Sequence, residues 1–137
     1  MDGSISESAF MDRGGWYSGP WDEEKIDKRT WKDTETSLGC MIHRGACGQW
    51  CGYVGVPKRH KLYGVEVFSP YGWKVIKHLD CHGGVNFTFK MDALWWFGFD
   101  CGGLKDITPM TRRSHGAKYR GIGFVLNEVK GLARQLK

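Results

Sequence analysis

The sequence lacks any apolar run long enough to span a bilayer, and its first residues do not follow the basic-then-apolar order of a secretory signal. It has only four prolines, which argues against a rigid linker. Its five cysteines are an odd number and do not make a disulfide framework. From these absences we expect reduced thiols, no membrane partner and a location in the cytoplasm.

Two further absences concern chemistry. No glycine-rich phosphate loop stands between a strand and a helix, because the segment Gly98–Gly103 is followed by a loop. The usual Cys-x2-Cys zinc pairs are also missing. Four potential zinc ligands lie close together, with two, three and three residues between them: Cys40, His43, Cys47 and Cys51. If residues 40–44 form a strand, Cys40 and His43 would point to opposite faces and could not bind one metal ion. We therefore do not assign a metal site, but the spacing alone does not decide whether these four residues bind zinc.

What the chain does contain is enough apolar and aromatic material for one folded domain. Its 137 residues are 41% apolar and 14% aromatic, with seven tryptophans, which excludes a disordered protein. The net charge of +5 modestly favours anionic partners such as nucleotides, and it gives nucleic acid only weak support. Basic residues concentrate between positions 105 and 120, where a single acid, Asp106, accompanies Lys105, Arg112, Arg113, Lys118 and Arg120.

The stretch from residue 81 to 106 carries the most distinctive pattern. Two aromatic-rich apolar runs, 85–89 and 94–99, predict buried strands, and the break at 90–93 suits a hairpin connection. His82 begins one run and Asp100 ends the other, each beside glycines that allow a ligand or backbone to come close. The pattern predicts a strand pair with polar side chains at its ends.

The remaining elements complete a single α+β domain. Residues 40–44 and 49–56 predict a second strand pair that ends at Pro57, residues 73–79 predict another strand, and residues 22–28 a short helix. Apolar residues at three- and four-residue steps predict a helix from Ile122 to Leu136. We expect an antiparallel or mixed sheet over residues 31–137, covered by this helix and preceded by a flexible arm at residues 1–30.

The polar side chains admit two interpretations. His60, His82, Asp100 and Asp106 could divide acid and base roles or hold a divalent metal. Equally, a histidine at a strand start often bonds a backbone carbonyl, and an aspartate before Gly-Gly often forms an Asx-turn. A cysteine–histidine nucleophile, drawn from Cys81 or Cys101 with His60 or His115, has little support.

Several motifs resemble a family of short, functionally uncharacterised proteins encoded by bacteriophages and some bacteria. They are the run Gly52–Pro57 (Gly-Tyr-Val-Gly-Val-Pro), His60 with Tyr63-Gly64, His82-Gly83-Gly84, Trp96–Asp100 (Trp-Phe-Gly-Phe-Asp), and Asp106. The resemblance runs from about residue 31 to the C-terminus. Where the family has a histidine shortly after the aspartate, this chain has Gly103, and Lys61 replaces a proline.

The resemblance implies a ligand pocket rather than a plain core. Its expected members are His60, Tyr63, His82, Asn86, Asp100 and Asp106. From the basic loop, we expect Arg112 and Arg113 to attract the anionic groups of the ligand. The implied function is that of a phage-encoded accessory protein in the host cytoplasm. We expect it to counter host defence by binding an anionic ligand, such as a nucleotide signal, or a host protein.

The alternative is a small metal-dependent hydrolase acting on a phosphate or glycosidic bond. The sequence leaves open whether any catalysis occurs, and it identifies no cofactor, ligand, host target or oligomeric state.

Overall fold

A computed structural model describes residues 4–111 and 116–137, and its main element is a six-stranded antiparallel sheet. The strands lie in the order β1-β2-β3-β4-β6-β5. They are β1 (Ser6–Ser8), β2 (Lys28–Lys32), β3 (Gly39–Arg44), β4 (Trp50–Val56), β5 (Phe87–Met91) and β6 (Leu94–Asp100). With the C-terminal helix α2 (Ile122–Leu136), this sheet confirms the predicted α+β domain.

Helix α2 covers one face of the sheet, as the sequence predicts. The buried residues of the helix recur at steps of one, three and four: Val125, Val129, Leu132, Ala133 and Leu136. They belong to the same core cluster as alternate residues of β3, β4 and β6. The helix can come close because β4 has a glycine at the contact. A Cβ on Gly52 would lie 2.5 Å from Phe99 and 2.6 Å from Val129.

The opposite face of the sheet carries a second apolar cluster. Met41, Tyr53 and Trp96 are buried there, in alternation with the residues that face α2. The ring of Tyr53 lies over Gly98, where a Cβ would approach within 2.4 Å. Glycines in β4 and β6 therefore let large rings lie flat on both faces of the sheet.

The predicted hairpin between β5 and β6 is present. Its two-residue turn is formed by Asp92 and Ala93, both in the left-handed region with φ of 53° and 63°. Two consecutive positive φ angles are the mark of the hairpin turn whose twist matches the flanking strands.

Two predicted elements are wrong. Residues 73–79 do not form a strand, because α1 (Pro70–Ile76) occupies this segment. Ser69 caps it by accepting a hydrogen bond at 2.9 Å from the amide of Gly72, and Pro70 suits the first helical turn. In a strand, Trp73 and Val75 would share one face and Ile76 would lie on the other, whereas in the helix Ile76 is fully buried and Trp73 is exposed.

The helix predicted at 22–28 is replaced by a short 3-10 helix, Pro20–Glu23, and β2 begins at Lys28. This N-terminal part contacts the domain: β1 pairs with β2, and the buried Trp21 lies edge-on to Tyr119 at 5.0 Å. The predicted boundary at residue 30 therefore falls inside β2.

A small parallel pair, β7 (Asp106–Ile107) and β8 (Lys118–Tyr119), leads into α2. No helix in residues 4–111 or 116–137 has the length and apolar character needed to cross a membrane.

Candidate functional site

Asp106, the first residue of β7, is buried and collects three hydrogen-bonding groups. Nε2 of His82 lies 2.9 Å and 3.0 Å from its two carboxylate oxygens. Arg120 donates from Nε to Oδ1 at 3.0 Å, and the amide of Gly103 donates to Oδ2 at 2.9 Å. We call His82, Asp106 and Arg120 the His82 cluster. Its histidine and carboxylate were both predicted site residues, and the structure brings them into contact.

Helix α2 holds the two nitrogen-bearing side chains in place. The backbone amide of His82 donates to Glu128 at 2.7 Å, and its ring meets Phe124 edge-on at 5.2 Å. The guanidinium of Arg120 lies 5.1 Å from the centre of the same Phe124 ring. The Phe124 ring thus orients the side chains of His82 and Arg120, while Asp106 holds Nε2 of the histidine and Nε of the arginine.

The outer side of the His82 cluster is basic. The side chains of His82 and Arg120 are each 21% exposed, so part of each reaches solvent. Arg120 contacts Asp106 through Nε, which leaves both Nη groups outside this bond. The exposed Lys105 and Lys118 flank the carboxylate, with Lys118 opposite Asp106 in the β7–β8 register. One buried carboxylate therefore stands among several cationic groups, which favours an anion at the surface of the cluster.

Asp100 is not bonded to His82, although both belong to the predicted pocket. Its Oδ1 accepts a hydrogen bond from the backbone amide of Gly102 at 2.9 Å, which forms an Asx-turn, and its Oδ2 accepts one from the side-chain Nδ2 of Asn86 at 3.4 Å. Asp100 and Asn86 line a separate cavity of about 220 Å³ together with Cys51, Tyr53, Phe87 and Phe99. The loop after Asp100 turns back so that Asp106, and not Asp100, reaches the histidine.

His60 and Tyr63 have structural contacts away from the His82 cluster. Nε2 of His60 donates to the carbonyl of Leu136 at 2.7 Å, and its Nδ1 accepts the amide of Leu62 at 3.0 Å. The ring therefore satisfies a free carbonyl at the end of α2. Tyr63 lies 6.2 Å from Trp95, at the end of β6 opposite to Asp100.

Arg112 and Arg113, predicted to attract the anionic groups of the ligand, lie outside the described residues, as does His115.

The cysteines do not form a metal site in the described residues. Cys40 belongs to the core cluster on the α2 side of the sheet, whereas Cys51 packs on the opposite side. In residues 4–111 and 116–137, no group of three or more His, Cys, Asp and Glu side chains is arranged to hold a metal ion.

Burial also governs the chemistry of the thiols. It raises the pKa of Cys40, Cys51 and Cys81 to about 12, and it raises the pKa of Cys101 as well. These thiols are therefore protonated at neutral pH, and the geometry gives no support to a cysteine nucleophile.

Sequence reasoning missed a buried charged network at Arg44, the last residue of β3. Arg44 donates to Asp27 at 3.1 Å and to Glu24 at 3.0 Å. Its guanidinium lies between the rings of Trp50, at 4.2 Å, and Trp16, at 5.2 Å. A signal was present, because Arg44 alternates in phase with the inward-facing Cys40 and Ile42, and a buried arginine requires acidic partners.

Hydrogen bonds keep both acids of this network ionised. Burial alone would raise the pKa of Glu24, but bonds from Tyr119, the amide of Ile122, Trp50 and Arg44 bring it below its ordinary value. Burial alone would also raise the pKa of Asp27, but hydrogen bonds from the amides of Met11 and Phe10 and from Arg13 bring it below its ordinary value. This network stabilises the fold and exposes little to a ligand.

Comparison with protein-family models, with curated proteins and with solved structures finds no match. Functional inference therefore depends on the geometry of this chain.

Proposed function

We propose that this protein binds an anionic ligand at the His82 cluster. One observation carries the proposal: a buried carboxylate, Asp106, is shared by His82 and Arg120, whose side chains are each 21% exposed. Asp106 orients these two donors and offsets the charge of Arg120. The positive charge that attracts an anionic ligand comes from the neighbouring Lys105 and Lys118.

The donor set suits a phosphate or carboxylate group. The two Nη groups of an arginine can bind two oxygens of one anion in parallel, and an imidazole nitrogen adds a third, directional contact. Lys105 and Lys118 extend the basic surface on both sides. A ligand with more than one anionic group, such as a nucleotide, would use this wider surface.

In its biological role, the protein is proposed to act as a phage-encoded accessory protein that counters host defence. This part of the proposal is supported by the resemblance of its sequence motifs to proteins of phage genomes. Binding of a nucleotide signal would remove that signal from the host cytoplasm.

A second candidate is binding to a host protein. The observation that favours it is a group of exposed aromatic side chains on and before α1, where Phe68, Tyr71 and Trp73 are 77%, 71% and 53% exposed. Aromatic side chains are enriched in protein interfaces, and exposed groups of them often mark such sites. The hydrolase alternative lacks a comparable observation, since the described residues offer no metal-binding group.

Calorimetric titration with inorganic phosphate tests the anion site. We expect the unaltered protein to bind phosphate, and His82→Ala and Arg120→Ala each to weaken this binding at least tenfold, which is about 1.4 kcal/mol. His78→Ala is the matched control, because His78 is an exposed histidine outside the cluster. Absence of binding to the unaltered protein, or equal binding by all three variants, would refute the site.

A stability measurement separates a binding role from a structural one. We expect His82→Ala to change the free energy of unfolding by no more than about 1 kcal/mol, because the side chain is partly exposed and Asp106 keeps its other two partners. Unfolding of this variant would instead show that His82 is a structural residue.

A further inference from the structure

A cavity of about 320 Å³ lies at the end of the sheet opposite to Asp100. It opens between the turn that joins β2 to β3 and the segment that follows β4. We call it the Trp31 cavity. Its lining includes Trp31, Lys32, Ser37, Pro57, Arg59 and Leu94. None of these six was assigned to a site from the sequence.

Two cations stand at this cavity without an acidic partner. Lys32 and Arg59 both line it, and neither forms an ion pair with another described residue. Arg59 is exposed and Lys32 is half-buried. Unpaired cations at the mouth of a cavity favour an anionic group on the molecule that enters it.

The turn between β2 and β3 holds Ser37 in an unfavourable backbone conformation. Ser37 has φ of 63°, in the left-handed region that glycine occupies at much lower cost. The turn is closed by bonds from the amide of Asp33 to Leu38 and from the amide of Ser37 to Asp33. Glycine would suit this position better for folding alone. The serine adds a hydroxyl group at the edge of the cavity.

The walls of the cavity suit a flat apolar body. Gly39 and Gly55 leave room for neighbouring side chains. A Cβ on Gly39 would lie 3.0 Å from Leu94, and a Cβ on Gly55 would lie 2.9 Å from the Trp96 ring. Trp31 provides an aromatic wall, and Pro57 and Leu94 provide apolar ones. Aromatic walls of this kind stack on planar rings.

From these features we infer that the Trp31 cavity binds a mononucleotide-like ligand, a planar ring that carries a phosphate group. The ring contacts Trp31, Pro57 and Leu94, while the phosphate meets Lys32, Arg59 and the hydroxyl of Ser37. The volume lies at the lower end of the range for small-molecule sites, roughly 300–1,000 Å³, which suits one such unit.

This site is distinct from the His82 cluster. The His82 cluster lies near the Asp100 end of the sheet, since a Cβ on Gly83, the residue after His82, would lie 4.0 Å from the carbonyl oxygen of Asp100. Gly55 lines the Trp31 cavity and Cys51 pairs with Asp100, so the two ends of the sheet are four residues apart along β4. At roughly 3.3 Å per residue this is about 13 Å. A variant at one site is therefore not expected to affect binding at the other.

The indole N–H signal of Trp31 in a ¹⁵N–¹H NMR spectrum reports on the cavity. Trp31→Phe identifies the signal, and sequential assignment identifies it if that variant does not fold. Titration uses adenosine monophosphate, adenosine and inorganic phosphate as separate probes. We expect adenosine monophosphate to shift the signal with an affinity at least tenfold higher than either of the other two.

Variants then assign the contacts. Arg59→Ala and Lys32→Ala should each weaken binding of adenosine monophosphate about tenfold, whereas Lys58→Ala, at a neighbouring exposed lysine outside the lining, should leave it unchanged. Ser37→Gly should raise the midpoint of thermal unfolding while weakening binding. An unshifted Trp31 signal, equal effects of Arg59→Ala and Lys58→Ala, or binding of phosphate as tight as that of the nucleotide would each overturn the inference.

Discussion

Glu24 accepts a hydrogen bond at 2.8 Å from the backbone amide of Ile122, the first residue of α2, although 98 positions separate them in the chain. Its other carboxylate oxygen accepts bonds from Arg44, Trp50 and Tyr119. One side chain of the N-terminal part therefore joins the sheet to the start of the helix that covers it. The position also places a negative charge at the positive end of the helix dipole.

Replacing Glu24 by alanine should strongly destabilise the fold. The change leaves Arg44 buried with Asp27 as its remaining acidic partner, and it leaves the amide of Ile122 without its acceptor. We expect a loss of about 3–5 kcal/mol in the free energy of unfolding, measured by urea denaturation. Glu23→Ala, at an exposed neighbouring acid, should change it by less than about 0.5 kcal/mol. Similar values for the two variants would show that the Glu24 contacts contribute little.

The same network predicts loss of stability in acid. The pKa values of Glu24 and Asp27 are lower in the folded state than their ordinary values of 4.5 and 3.8. A lowered pKa contributes stability that is complete above the ordinary value and is lost as the pH falls through the folded-state value. The free energy of unfolding should therefore fall as the pH drops below about 4.5.

Comparison with Glu24→Gln isolates this contribution. The difference in stability between the unaltered protein and Glu24→Gln should shrink as the pH is lowered from 6 to 3, because Glu24 itself becomes protonated. A difference that stays constant over this range would contradict the lowered pKa.

The hairpin turn offers a stabilising substitution. Ala93 has φ of 63°, which a side chain with a Cβ adopts at a cost. Ala93→Gly should therefore raise the free energy of unfolding by roughly 0.5–1 kcal/mol. Ala46→Gly, at an exposed turn residue without positive φ, serves as the control and should lower it slightly. Equal effects of the two glycines would show that the turn is not strained.

The contact between α2 and the sheet can be tested at its centre. Leu132 is fully buried against the sheet, so Leu132→Asp places a charge in the core without a partner. We expect a loss of more than about 4 kcal/mol, or no folded protein at all. Lys130→Asp, on the exposed side of the same helix, should fold. A near-normal melting temperature for Leu132→Asp would contradict the packing described here.

The sequence predicted those elements whose pattern is local. The β3–β4 and β5–β6 pairs and α2 each have enough residues to show a period of two or of three to four. Helix α1 is only seven residues long, which is too short to show a helical period, and its apolar Trp73 and Val75 resemble the alternation of a strand.

The alternation of β3 could have indicated that Arg44 is buried, but not which acids pair with it, because Glu24 and Asp27 lie in a distant part of the chain and only the tertiary fold brings them to Arg44.

The sequence predicts only part of the candidate site. His82 and Asp106 are both members of the predicted pocket, whereas Arg120 is not, and the predicted pocket also includes Asp100. The Asx-turn at Asp100 reverses the chain and brings Asp106 to His82 instead.

The most direct test of the anion site follows the ring of His82 itself. In an NMR titration of the protein with adenosine monophosphate or inorganic phosphate, the ring signals of His82 should shift to a saturating value. The shift should disappear in Arg120→Ala, while the ring signals of the exposed His78 stay unchanged. Ring signals of His82 that do not move, or that move no more than those of His78, would contradict the proposed site.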